Sequence, residues 1–462
     1  MLTEEVLESL NNAELEEFKR FITFRVPGMR KEVGKAIEAL ILLGKTSKQE
    51  LFKAVFGNQN YNDKTIRYLL TDINGLLYEF LAFKRMANDV TSNQTLLLEE
   101  LLARNCTKAF GRTLNLALHQ LDTSNDVAPE ALKLRYDVLS MKALWELRQG
   151  QRSTAHFEGS SAALDRFFVA QKLQMSAEKL NIHFILNTTA EDPFLDLLMQ
   201  QVDAGQFADT PYIIIYRDVI RTLQHPEDTQ AFRRLEIGAA THAQHLPQSE
   251  RHDLYQHILN YCIRRINAGQ LEFQRELLES YRNALLQNAL LTEGIISQWD
   301  FKNIVTIGLR LRENDFVDGF IRDYSSNLAQ LHRANAVAFN MANLHFHAKH
   351  YSQTLTQLQL VDLDDVFYRL DARSILLKTY FEMDDLDALF YHASAFRTFL
   401  LRNRTISDRQ RKVYQNLIRF SVSLARCHTD RNRIRALRKK VASTPNVADL
   451  SWLEGKMDEL LA

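Results

Sequence analysis

Apolar residues recur every three or four positions along most of this chain, in long runs with few interruptions. Ile66, Leu69, Leu70, Ile73, Leu76, Leu77 and Phe80 trace one face of a helix that starts at Asp63 and reaches about Met86. Leu15, Phe18, Phe21 and Ile22 do the same for Glu14–Thr23, and Pro27-Gly28 separates that segment from a helix over Met29–Leu43. Ser47-Lys-Gln-Glu50 has the spacing of a capping box, in which serine and glutamate satisfy each other's orphan amides, so a short helix over Lys48–Phe56 is expected. A polar turn, Gly57 to Asn62, then leads into the Asp63 helix. Helix, short helix, turn and third helix predict a small helix-turn-helix-like lobe over residues 1–88.

Beyond the lobe the same periodicity continues as helical pairs. One pair runs from about Asn93 to Thr123, broken near Asn105-Cys106, and Pro129 opens a helix through Leu147 at the first-turn position proline favours. A further pair is expected over Ser153–Asn181, with later turns near Gly205, His225-Pro226, Pro247, Gly269 and Gly294. Tyr212-Ile-Ile-Ile-Tyr216 looks strand-like, but it continues into Val219, Ile220 and Leu223 and is read as helix. Residues 89–300 therefore predict irregular helical hairpins. Over residues 301–400 the pattern sharpens: Phe316, Tyr351 and Leu386 are 35 residues apart, each between a longer and a shorter apolar helix. Residues 401–462 close the chain as a basic helical cap.

Ile307, Leu311, Phe316 and Phe320, then Met341, Ala342, Tyr351, Leu355, Leu358 and Val361, then Leu376, Leu377, Tyr380, Leu386, Leu389, Ala393 and Phe396 together resemble the tetratricopeptide repeat. Thr354 and Gly319 replace its usual alanine, Leu389 is bulkier than its consensus, and its opening tryptophan and closing proline are absent. The chain is also similar to bacterial helical-repeat proteins of no assigned activity, through Asn62–Leu69, Trp299–Val305 and Leu401–Ser407. The resemblance implies an all-α fold, a right-handed α-solenoid of hairpins whose first helices line a concave face. On that geometry Phe339, Asn343, Phe346 and His347 of one unit, with Ser374, Lys378 and Phe381 of the next, would face a peptide-binding groove. Asn343 and Lys378 resemble the polar pair with which some such proteins grip a carboxylate.

Composition supports helices and narrows the chemistry. Only 7 prolines and 15 glycines punctuate 462 residues, while 46% hydrophobic and 25% charged residues exclude wholesale disorder. The three cysteines, Cys106, Cys262 and Cys427, form no CxxC pair, which argues against a disulfide framework or zinc site. Met-Leu-Thr-Glu-Glu-Val-Leu-Glu lacks the cationic start of a signal peptide, and no apolar run is long enough to span a membrane, so a cytoplasmic location is expected. No phosphate loop, nucleophile elbow or HExxH occurs, and no cofactor or catalytic residue is expected. His345 and His347 point roughly 200° apart on a helix, so the His345/His347/His350 cluster is not read as a metal site. Cys427-His428 has no third partner. Asp362, Asp364 and Asp365, like Asp384, Asp385 and Asp387, lack calcium-loop order and read as caps and turn residues.

Charge is balanced overall, 57 basic against 57 acidic residues, yet from Phe396 to Lys440 fourteen Arg or Lys face only two acidic residues. Arg402, Arg404, Arg431, Arg433, Arg435 and Arg438 head that list. Three roles stay open: neutralising the acidic 362–387 unit, docking an acidic protein, or touching nucleic acid or anionic lipid. The third helix of the N-terminal lobe offers Lys64 and Arg67 beside Asp63 and Asp72, thin provision for a phosphate backbone. The expected function is a non-catalytic scaffold or adaptor binding a protein or peptide segment in the groove. The alternative is a nucleic-acid-binding regulator that uses the N-terminal lobe and the basic C-terminal helices.

Overall fold

The computed structural model describes residues 2–25, 31–88, 90–151, 153–186, 188, 192–362 and 368–462. Contacts divide the chain into two compact units, Met1–Asn125 with Glu130–Phe167, and Asp126–Pro129 with Phe168–Ala462. The described residues form twenty-three α-helices and one two-residue-per-strand hairpin. No helix among them is long and apolar enough to cross a membrane.

The first unit contains α1 (Leu2–Glu8), α2 (Asn12–Arg25), α3 (Lys31–Leu43), α4 (Lys48–Phe56), α5 (Asp63–Asn88), α6 (Val90–Ala103), α7 (Thr107–Thr123), α8 (Pro129–Arg148) and the start of α9 (Ala155–Leu186). Its local signals act as expected. The Ser47 hydroxyl accepts from the Glu50 amide while the Glu50 carboxylate accepts from the Ser47 amide, closing the capping box that starts α4. Phe18, Ile37, Leu51, Ile66, Ile73 and Leu77 meet in one core beneath α2 to α5. The expected pair over Ser153–Asn181 is instead the single helix α9. From Ser160 onward no glycine or proline interrupts it, so nothing in its backbone chemistry ends the ladder.

The second unit continues with α10 (Pro193–Asp203), α11 (Pro211–Gln224), α12 (Thr229–His242), α13 (Gln248–Asn267) and α14 (Phe273–Leu286). After the hairpin of β1 (Leu291–Thr292) and β2 (Ile295–Ile296) come α15 (Gln298–Arg310), α16 (Asn314–Tyr324), α17 (Gln330–His347), α18 (Tyr351–Leu358), α19 (Arg369–Glu382), α20 (Leu386–Arg402), α21 (Asp408–Ala425), α22 (Arg431–Ala442) and α23 (Leu450–Leu461). The hairpin departs from a purely helical expectation. Glu293 and Gly294 both take positive φ, 51° and 80°, the conformation of a two-residue primed turn. Sequential helices pack as pairs, and first helices also touch across pairs, α11 on α13, α15 on α17, α17 on α19 and α19 on α21. That neighbour-to-neighbour pattern is consistent with a helical repeat.

Several helix ends share one turn. Gly205, Gly269, Arg312, Lys349 and Asp384 each take a left-handed backbone, and each following amide reaches back to a carbonyl five residues earlier. Glu313 does so to Gly308 at 2.9 Å, His350 to His345 at 2.8 Å and Asp385 to Tyr380 at 3.0 Å, as in a Schellman motif. These turns correct the sequence beat. Arg312 and Lys349 are 37 residues apart and Lys349 and Asp384 are 35, so the residue equivalent to Tyr351 and Leu386 is Asn314, the first of α16. Phe316 sits two positions further on. Two helices approach closely at Gly308, where an added Cβ would lie 2.5 Å from Val317 Cγ2. Thr354, in the alanine position, is fully buried and donates its hydroxyl to the His350 carbonyl at 3.2 Å.

Candidate functional site on helices α17, α19 and α23

The seven residues expected to line a groove separate into three groups. Phe339 and Phe346 are buried in the core. Phe339 packs on Tyr368 with ring centroids 4.6 Å apart, and Phe346 lies under the Lys378 ammonium, 5.0 Å from its ring centre. Asn343 and His347 remain at the surface, half-buried and exposed respectively. Partial desolvation and then the charge on Lys378 lower the His347 pKa.

Ser374, Lys378 and Phe381 form the third group, and the chain itself occupies them. The Ser374 hydroxyl donates to Asp449 Oδ2 at 2.5 Å, and Lys378 Nζ stands 3.1 Å from the same oxygen. Phe381 meets the Trp452 ring edge-on, with centroids 5.5 Å apart. The Lys378 side chain is only 8% exposed, against 35% for Asp449, so the lysine is the more enclosed partner. The local backbone explains the reach. Asp449 precedes α23 with φ 48° and ψ 37°, and its side chain makes no cap bond to that helix, leaving the carboxylate aimed at α19. Crowding would raise the Asp449 pKa, but the Lys378 charge and the Ser374 hydroxyl overcome it and hold the carboxyl below the usual 3.8.

Beside this clamp Glu382, the last residue of α19, gathers three donors. Tyr351 Oη donates to it at 3.2 Å, Trp452 Nε1 at 2.7 Å, and Lys456 Nζ lies 2.7 Å away. Both charged side chains are nearly enclosed, 13% exposed for Lys456 and 10% for Glu382. Asp449, Trp452, Lys456 and Glu382 escaped the sequence reading. The one local hint was Asp449 three residues before Trp452, which puts a carboxylate and a large ring on one turn.

Several carboxylates of the acidic unit find partners outside the Arg-rich Phe396–Lys440 stretch or in their own helix. Asp371 pairs with Lys302 and accepts from Tyr414 Oη, Glu382 takes Lys456, and Asp385 caps α20 by accepting from the Ala388 amide at 3.0 Å. Asp364 and Asp365 lie outside the described residues. Arg402, Arg404, Arg433 and Arg435 are exposed, whereas Arg431 donates to the Ala462 carbonyl at 3.2 Å and Arg438 meets Asp458 at 2.9 Å. In the N-terminal lobe Arg67 is taken by Asp63 at 2.6 Å, which leaves that helix little free positive charge.

Among the described residues no group of three His, Cys, Asp or Glu side chains is placed to hold a metal ion. His345 and His350 come within 6.2 Å, ring to ring. No protein-family model matches the chain, and no curated protein or solved structure does either.

Proposed function

We propose that this chain is a non-catalytic scaffold that holds a protein segment on the helical pairs of its second unit, read as a right-handed α-solenoid of tetratricopeptide-like hairpins. The observation that carries the reading is the clamp on α19. A nearly buried ammonium, a buried hydroxyl and an aromatic edge converge on the carboxylate and ring of a helix start. Such a constellation recognises an acidic residue followed one turn later by an aromatic one. Here α23 supplies both in cis. A partner segment of the same chemistry uses the same contacts, and the preordered helices lose little entropy on binding it.

The test offers a fluorescent peptide of residues 449–462 in trans to the full chain carrying Asp449→Ala and Trp452→Ala, which loosens its own helix. The peptide binds this variant, and adding Lys378→Ala weakens binding about tenfold, as loss of a charge-assisted contact predicts. Absence of binding to either variant removes the recognition reading and leaves the clamp as a purely internal brace.

A further inference from the structure

Helix α22 buries one narrow face and charges the rest. Ile434, Leu437 and Val441 pack on Phe420 and Leu424 of α21 and on Leu453 and Met457 of α23. Arg431 and Arg438 turn along the flank toward α23, where the Ala462 carbonyl and Asp458 take them. Arg433, Arg435, Lys439 and Lys440 are exposed, with no carboxylate at ion-pair distance among the described residues. Helix α21 and its C-cap carry a basic row of their own: Lys412, Arg419 and Arg426 are exposed and recur every seven residues, about 10 Å apart along one face. The two acidic residues of the region are already engaged, Asp408 with Arg411 and Asp430 as the N-cap of α22.

The kind of anion follows from what this surface lacks. Exposed large apolar side chains stop at Leu401 and resume at Leu450, so α21 and α22 present none. An acidic protein partner needs a desolvated apolar or aromatic anchor, because exposed charge pairs alone contribute little. A helix lying on an anionic membrane needs an apolar face to insert, and that of α22 is covered. A phosphodiester backbone needs neither, since released counterions supply the affinity. Without an exposed aromatic on either helix there is no platform for unstacked bases. We infer that the α21–α22 surface binds the phosphate backbone of duplex nucleic acid without reading its sequence, independently of the α19 clamp.

The full chain is titrated, by fluorescence anisotropy, into mixed-sequence DNA and RNA duplexes of roughly 30 base pairs between about 50 and 200 mM salt. One variant reverses Arg433, Arg435, Lys439 and Lys440 to Glu; a control of equal net charge reverses the exposed Lys31, Lys35, Lys108 and Arg112. Far-UV circular dichroism checks that both are folded. Wild-type affinity falls steeply with salt. The α22 variant loses at least about tenfold at low salt and flattens the log–log slope by about three to four, while the control stays within about twofold. Equal losses in both variants, no duplex binding at low salt, or displacement by polyglutamate as effective as by duplex overturns the inference. So does preference for phosphatidylserine vesicles over either duplex.

Discussion

Breaking the Lys378–Asp449 clamp from either side should have unequal consequences, and the inequality is the informative quantity. Asp449→Asn keeps the shape and tolerates the left-handed backbone, but strands an ammonium that is 8% exposed. Removing one partner of a fully buried pair costs roughly 3–5 kcal/mol. Because Asp449 is 35% exposed, solvent screening trims this, and about 2 kcal/mol is expected. Lys378→Met keeps the stem on Phe346 and leaves a carboxylate that water reaches, so about 1 kcal/mol is expected. The double variant should cost less than the two single costs added, since neither stranded charge remains. Hydrogen exchange of α23 by mass spectrometry reads these costs locally, with Asp449→Asn speeding exchange about thirtyfold. A Lys378→Met cost equal to or above that of Asp449→Asn would refute the reasoning from the lysine's greater enclosure. The pH dependence has a definite sign. A folded-state carboxyl pKa below 3.8 means its stabilisation is present above about pH 4 and fades as pH falls through the depressed value. The stability gap between wild type and Asp449→Asn should therefore be full near pH 7 and close under strong acid.

Two further outcomes test the helix pairing. Gly308→Ala gains about 1 kcal/mol of helix propensity yet drives a methyl to 2.5 Å from Val317 Cγ2 on a stiff β-branched side chain. A net loss of about 1–3 kcal/mol is expected in urea unfolding, and a stabilised variant would show that α15 and α16 are not so closely packed there. Lys349→Gly should stabilise by about 1 kcal/mol, because a lysine held at φ 61° gives way to the residue that adopts that conformation freely. An unchanged or lower thermal midpoint would count against the repeated left-handed turn.

Much of the helical order was legible because it depends on neighbours in sequence. The Ser47–Glu50 capping box placed the start of α4, and Pro129 opened α8 where first-turn proline belongs. Gly205 and Gly269 marked turns through their freedom at positive φ. Where a non-glycine residue takes that conformation, as Arg312, Lys349 and Asp384 do, composition carries no such mark. That is why the beat through Phe316 was two residues out. The hairpin at Glu293-Gly294 stayed hidden because two residues per strand cannot establish an alternating pattern.

The sequence by itself therefore determined the predominantly helical class, the bounds of several helices and the concentration of positive charge between Phe396 and Lys440. Each rests on local propensity, periodicity or counting. Tertiary structure decided what those residues meet. It set Asp449 against Ser374, 75 positions earlier in the chain, and turned Arg431 and Arg438 toward α23 while leaving Arg433, Arg435, Lys439 and Lys440 in solvent. No local rule encodes such pairings, because a side chain's partner depends on how whole helices pack, and a charge becomes a clamp or a free surface only once its surroundings are built.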